Sequence, residues 1–182
     1  ILGQVSTAFE DAREAGGIGP ILEDAVVKAL RVGERARNET AINEGVTSLG
    51  SAAVALARRS FDADLAETTA LIVGTGEMGT LTARALEGSV ERILLANRTT
   101  ETAEHLAGTL DTDTEVLGLG ELDGAARRAD LVVTATGSGT PILDEETLAE
   151  AGPTLVVDLA QPRDVPASAG ELESGTLRAL DT

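Results

Sequence analysis

Three glycines, Gly74, Gly76 and Gly79, break an apolar run in the stretch ALIVGTGEMGTLTARAL, residues 70–86. Glycines at this spacing, after a strand and ahead of a helix, form a turn that receives the pyrophosphate of a dinucleotide. Gly74 permits the tight turn, Gly76 lets the backbone approach the phosphates, and Gly79 allows the helix to pack closely on the strand. Thr75, Glu77 and Met78 complete the loop, and the positive end of the helix faces the phosphates. Met78 is expected to pack at the helix start. A purely structural turn would use the same glycines, but the strand before and the helix after favour the nucleotide.

The end of the second apolar run decides which dinucleotide. A site for NAD usually places a carboxylate there, about 20 residues on, to accept hydrogen bonds from the ribose hydroxyls. This chain has Ala96, Asn97, Arg98 and Thr99 instead. A carboxylate would repel a 2′-phosphate, whereas an arginine pairs with it bidentately and the Asn97 amide and Thr99 hydroxyl donate to it. The expected ligand is therefore NADP(H), the alternative being that Arg98 is an ordinary surface arginine. Farther on, Ala135, Thr136 and Gly137 end another apolar run, leaving room for the nicotinamide ribose or simply making a turn. Asp158, Pro162, Arg163 and Asp164 fall on the same edge, either near a substrate or as an Arg–Asp pair fixing a loop. His105 reads as a surface residue. With no cysteine and one histidine, the chain offers neither a thiol nucleophile nor a metal cluster.

These residues need a sheet beneath them. The runs ALIV (70–73), RILLA (92–96), EVLGL (115–119), ADLVVTA (129–135) and TLVVDLA (154–160), with a weaker TLRAL (176–180), are continuous rather than alternating. Strands of that kind are covered on both faces, as in a parallel sheet with crossover helices. Helices are expected near 77–87, 100–110, 120–128 and 144–151, giving a doubly wound, parallel Rossmann-type α/β domain over residues 61–182. Residues 1–60 read as a separate helical segment. One helix starts near Pro20 and carries Ile21, Leu22, Ala25, Val26, Ala29 and Leu30. Another carries Val46, Leu49, Ala53, Leu56 and Ser60, kept slim by Gly50, Ser51 and Ala52, and GERARNETAINEG (33–45) reads as a polar connection between them.

Asp and Glu number 31 against 14 Lys and Arg, and aromatic residues are 1% of the chain. Acids dispersed among apolar periodic segments point to salt adaptation, since a carboxylate-rich surface stays hydrated in concentrated salt where long-range repulsion is screened. Residues 1–60 hold 7 basic and 8 acidic side chains and residues 61–182 hold 7 and 23, so the charge lies almost wholly in the second part. In the first part Lys28, Arg31, Arg35 and Arg37 form a basic cluster that reads as a solvated helix face or a place where a polyanion is tolerated. No apolar run approaches the roughly 20 residues of a membrane span, and a cytoplasmic piece of a longer protein is expected.

Together, ILGQV, ARNETAINEGVTSLGSAAVALA, LIVGTGEMG, ANRT, TATGSGTPIL and VDLAQPRDV occur in an order that resembles the glutamyl-tRNA reductase family over nearly the whole chain. GTGEMG with ANRT also resembles the cofactor domain of shikimate-type dehydrogenases, but the helical lead-in and ILGQ favour the reductase. The resemblance implies an NADPH-dependent reduction of glutamyl-tRNA to glutamate-1-semialdehyde, the first step of tetrapyrrole synthesis, through a cysteine thioester. It implies that Gln4 contacts substrate, that Gly74 to Gly79 form the NADP loop, and that Asn97, Arg98 and Thr99 hold the 2′-phosphate. It further implies a homodimer through a C-terminal domain that this chain lacks, and possible hand-over to an aminomutase. Thr75 departs from the alanine usual in the family, and Gln161 from an apolar residue. Lacking the cysteine, the chain is expected not to make the semialdehyde alone. A nucleotide-sensing Rossmann module without catalysis is the alternative from another class.

Overall fold

The computed structural model describes residues 2–39, 49–61, 64–152, 154–171 and 175–179. By its contacts the chain divides into two compact units, Ile1–Thr47 and Ser48–Thr182.

The first unit contains helices α1 (Leu2–Glu14) and α2 (Pro20–Glu39), which pack on one another. Pro20 occupies the first position of α2, where its missing N–H costs nothing. The stretch from residue 33, expected as a polar connection, is instead helical through Glu39. Its Glu and Arg residues are good helix formers, and polarity alone does not end a helix. Residues 40–48, including Val46 of the expected second helix, lie outside the described residues. Ile21, Leu22 and Val32 of α2 are exposed.

The second unit opens with α3 (Leu49–Ser60), which therefore belongs with the sheet and not with the helices before it. Among the described residues six strands follow: β1 (Thr69–Val73), β2 (Arg92–Asn97), β3 (Asp113–Gly118), β4 (Leu131–Thr134), β5 (Thr154–Asp158) and β6 (Gly175–Ala179). All pairings are parallel, in the order β3-β2-β1-β4-β5-β6. The chain thus winds outward from β1 in both directions, as in a doubly wound Rossmann sheet. The crossovers carry α4 (Glu77–Leu86), α5 (Thr100–Ala107), a 3₁₀ turn with α6 (Leu122–Ala126), and α7 (Glu145–Glu150). A second 3₁₀ turn, Ala167–Glu171, precedes β6.

Side-chain alternation explains the continuous runs. Ala70, Ile72, Ile93, Leu95, Leu131 and Val133 face a core shared with Ala53, Ala57, Ala83, Leu86, Ala103 and Leu106 of α3, α4 and α5. Leu71, Val73, Leu94 and Val132 face the opposite core with Leu122, Ala125 and Leu148 of α6 and α7. Both faces are buried, so both parities must be apolar. Asp144 starts α7 as its N-cap: the Thr147 N–H donates to Asp144 Oδ1 at 2.8 Å. That bond, with a further one to the Thr147 side chain, holds the Asp144 carboxyl below the usual carboxylate range. Among the described residues no helix is long and apolar enough to cross a membrane, and no group of histidines and acids is placed to hold a metal.

Candidate functional site

β1 is the switch point of the sheet, with β2 on one side and β4 on the other. A crevice opens beyond the carboxyl ends of strands at such a point. The three strand ends are tied together there: Gly74 N–H donates to Ala96 O at 2.8 Å, and Ala135 N–H to Val73 O at 2.9 Å.

The glycines of the turn differ in what requires them. Gly74 has φ +95°, and a Cβ on it would stand 2.6 Å from the Ala135 carbonyl oxygen. A Cβ on Gly79 would stand 1.8 Å from the Gly74 carbonyl oxygen, so the first turn of α4 lies directly on the loop. A Cβ on Gly76, in contrast, would meet nothing within 4 Å. Folding alone leaves the Gly76 position open, so its bareness serves whatever approaches from outside. Gly76 is also the N-cap of α4 and, having no side chain, makes no side-chain capping hydrogen bond. The outward N–H groups of the first turn are therefore available to an acceptor. The Thr75 hydroxyl oxygen is buried and has no hydrogen-bond partner among the described residues.

Gly74, Thr75 and Gly76 form the middle of a cavity of about 290 Å³. Asn97, Arg98 and Leu119 wall one end, on the β2 and β3 side, and Ala135, Thr136, Gly137, Ser138 and Ile142 wall the other, beyond β4. Arg98 is exposed, and Asn97 donates one amide hydrogen to the Thr99 carbonyl at 2.9 Å, which shapes the turn into α5. Thr99 is the N-cap of α5, its side chain makes no capping hydrogen bond, and it is not on the cavity wall. Glu77, Met78 and Gly79 begin α4 behind the wall, with Glu77 exposed and Met78 half-buried. Gln4 lies in α1, in the other unit.

Leu119, Ser138 and Ile142 were not singled out by sequence reading. Ser138 and Ile142 lie on a loop and Leu119 opens the 3₁₀ turn after β3, where no periodicity marks a residue that faces a ligand. At the edge where β5 ends, the two carboxylates of this group serve the fold. Asp158 and Asp164 are buried, and their carboxyl groups accept hydrogen bonds from backbone N–H groups and hydroxyls within the fold.

Residues 55–182 match the family Shikimate / quinate 5-dehydrogenase, and residues 1–40 match the family Glutamyl-tRNAGlu reductase, N-terminal domain. The chain is 52% identical over 181 residues to a glutamyl-tRNA reductase of Haloarcula marismortui and 53% identical over 182 residues to one of Natronomonas pharaonis. In both cases the whole chain is covered, and it spans 40% of the relative's length. The solved glutamyl-tRNA reductase of Methanopyrus kandleri is 36% identical, with a TM-score of 0.65 over 99% of this chain and 46% of that one.

Proposed function

The chain belongs to the glutamyl-tRNA reductase family, and on that premise we propose that its second unit binds NADPH for the reduction of glutamyl-tRNA to glutamate-1-semialdehyde. One observation carries the cofactor reading: Arg98 and Asn97, where a carboxylate would select NAD, share a cavity wall with the Gly74 to Gly76 turn. The residues present fit such a group. Gly76 leaves open space for a pyrophosphate, the first turn of α4, whose N-cap has no side chain, offers N–H donors, and the buried Thr75 hydroxyl lacks a partner among the described residues.

The bound nicotinamide would supply hydride to an activated acyl carbon. The residues of this chain do the holding. Gly74, Thr75, Gly76 and the α4 N-terminus, including the backbone of Glu77, Met78 and Gly79, receive the pyrophosphate. Arg98, with Asn97 and Thr99, neutralises the 2′-phosphate. Thr136 and Gly137 leave room for the ribose on the nicotinamide side. Gln4 is assigned to substrate, in the part matched to the family's N-terminal domain.

The acyl group would be carried as a thioester, which accepts hydride more readily than a carboxylate. These 182 residues contain no cysteine, so by themselves they are expected to bind the cofactor without making product. Dimerisation through a C-terminal domain, hand-over to an aminomutase and a cytoplasmic setting are part of the same reading. The boundary between catalytic and cofactor parts is assigned near residue 60, with α3 attached to the sheet by its contacts.

The test is a titration of the chain in high salt with NADPH and NADH in parallel, followed by nicotinamide fluorescence. Preferential NADPH binding is the expected result. Equal affinity for both would remove the 2′-phosphate assignment, and binding of neither by folded protein would remove the cofactor site.

A further inference from the structure

Asp164 is fully buried, at 0% exposure, six residues beyond the end of β5. One of its carboxyl oxygens, Oδ2, accepts the Thr136 N–H at 2.8 Å. The other, Oδ1, accepts the Thr136 hydroxyl at 2.5 Å, while the Ser138 hydroxyl, 3.4 Å away, donates its one hydrogen to the Thr140 carbonyl and the Ser138 N–H donates to the Thr136 hydroxyl oxygen at 3.2 Å. Its backbone carbonyl accepts the Ile142 N–H at 2.8 Å. Thr136, Ser138 and Ile142 all stand on the cavity wall beyond β4. One residue thus holds two points of that wall directly, Thr136 and Ile142, and Ser138 through Thr136, while contributing no surface to the cavity itself.

The grip is anchored to the sheet. The Asp164 N–H donates to Asp158 Oδ2 at 3.0 Å, and Val165 N–H to the same oxygen at 3.1 Å. Asp158, the last residue of β5, also accepts the Thr134 hydroxyl at 2.9 Å and the Ala160 N–H at 3.0 Å on Oδ1. The support runs from β4 and β5 through Asp158 to Asp164, and from Asp164 to the loop. That loop, residues 135–144, has neither helix nor strand. Its shape therefore depends on side-chain acceptors, and every group pointed at the Asp164 carboxyl is a donor.

We propose that Asp164 is a positioning residue for the nicotinamide half of the bound dinucleotide, acting through Thr136, Ser138 and Ile142. The inference rests on the cofactor reading above. At a switch point the adenosine half lies toward β2 and the nicotinamide half beyond β4. Asp164 touches only the second half of the cavity, so its influence on binding is confined to the nicotinamide end.

The experiment compares NADPH with 2′,5′-ADP, which carries the adenosine half and the 2′-phosphate but no nicotinamide. Asp164→Asn keeps the size of the side chain and replaces one acceptor by a donor. It is expected to weaken NADPH about tenfold, as for loss of a buried hydrogen bond, and to leave 2′,5′-ADP affinity unchanged. The fluorescence of bound NADPH should shift toward that of the free cofactor. A general loss of structure would lower both affinities together. Where Asp164→Asn does not fold, Thr136→Val is expected to give the same selective loss and Thr136→Ser to restore binding. Equal weakening of both ligands, or no change in either, overturns the proposal. Failure of the unchanged chain to bind either nucleotide overturns the cofactor reading and this inference with it.

Discussion

Gly79 at the start of α4 sits against the carbonyl of Gly74, so closely that a Cβ on Gly79 would lie 1.8 Å from that oxygen. Neither group is a flexible side chain end, so the collision is relieved only by moving the helix off the strand. Gly79→Ala is expected to destabilise the second unit by about 3 kcal/mol, the upper part of the usual overpacking range. Gly76→Ala should behave oppositely, because nothing lies within 4 Å of its Cβ position. Urea unfolding should barely register Gly76→Ala, while NADPH titration should show binding lost. Equal stability loss in the two variants would contradict the division of roles.

Arg98→Ala tests the selectivity of the site. A charge-assisted hydrogen bond contributes about 1.5 to 3 kcal/mol, and the exposure of Arg98 places the expected loss of NADPH affinity at the lower end. NADH, which has no 2′-phosphate, should be unaffected. The measurement is the ratio of the two affinities before and after substitution. A fall in both by the same factor would assign Arg98 to something other than the 2′-phosphate.

Much of this arrangement was readable in advance. The sheet announced itself because strands buried on both faces must be continuously apolar, and the glycine turn because Gly74 and Gly79 answer local demands of backbone geometry while Gly76 leaves space free. The reading failed where tertiary partners decide. Residues 33–39 read as part of a polar connection and instead continue the helix that starts at Pro20, since a polar stretch rich in helix formers has no local signal for either state. The small residues Gly50, Ser51 and Ala52 imply a close packing partner without naming it, and by its contacts α3 groups with the sheet. Asp158 and Asp164 sat on the expected edge, but nothing in VVDLAQPRDV distinguishes a carboxylate offered to a substrate from one enclosed by backbone donors.

The partner of Gly50 is Thr82 of α4. A Cβ on Gly50 would stand 2.7 Å from the Thr82 backbone nitrogen and 2.8 Å from its hydroxyl oxygen. Rotation of the Thr82 side chain leaves the clash with the nitrogen, and its hydroxyl is already donating to the Met78 carbonyl at 2.8 Å. Gly50→Ala is therefore expected to cost about 1 to 3 kcal/mol, read as a lower urea midpoint. A midpoint equal to or above that of the unchanged chain would mean that α3 does not pack on α4 this way.

Salt dependence is decided by two opposing electrostatic effects. Arg92 with Asp113, Arg127 with Glu150, Arg128 with Glu115 and Lys28 with Asp24 are surface ion pairs, and salt weakens them. Such pairs contribute at most about 1 kcal/mol each. Against them stands a net charge of −17, whose mutual repulsion is present in the compact chain and relaxed in the unfolded one. The Debye length falls from about 10 Å at 0.1 M to about 3 Å at 1 M salt, and the repulsion acts over longer distances than the pairs do, so screening removes more repulsion than attraction. The thermal midpoint should accordingly rise from 0.1 M (about 10 Å screening) to 1 M potassium chloride (about 3 Å). Replacing exposed acids by amides, for example Glu101→Gln, Glu104→Gln and Glu146→Gln together, should flatten that rise. A midpoint that falls with salt would show that the ion pairs outweigh the excess of carboxylates, and an undiminished rise in the amide variant would assign the effect to something other than charge.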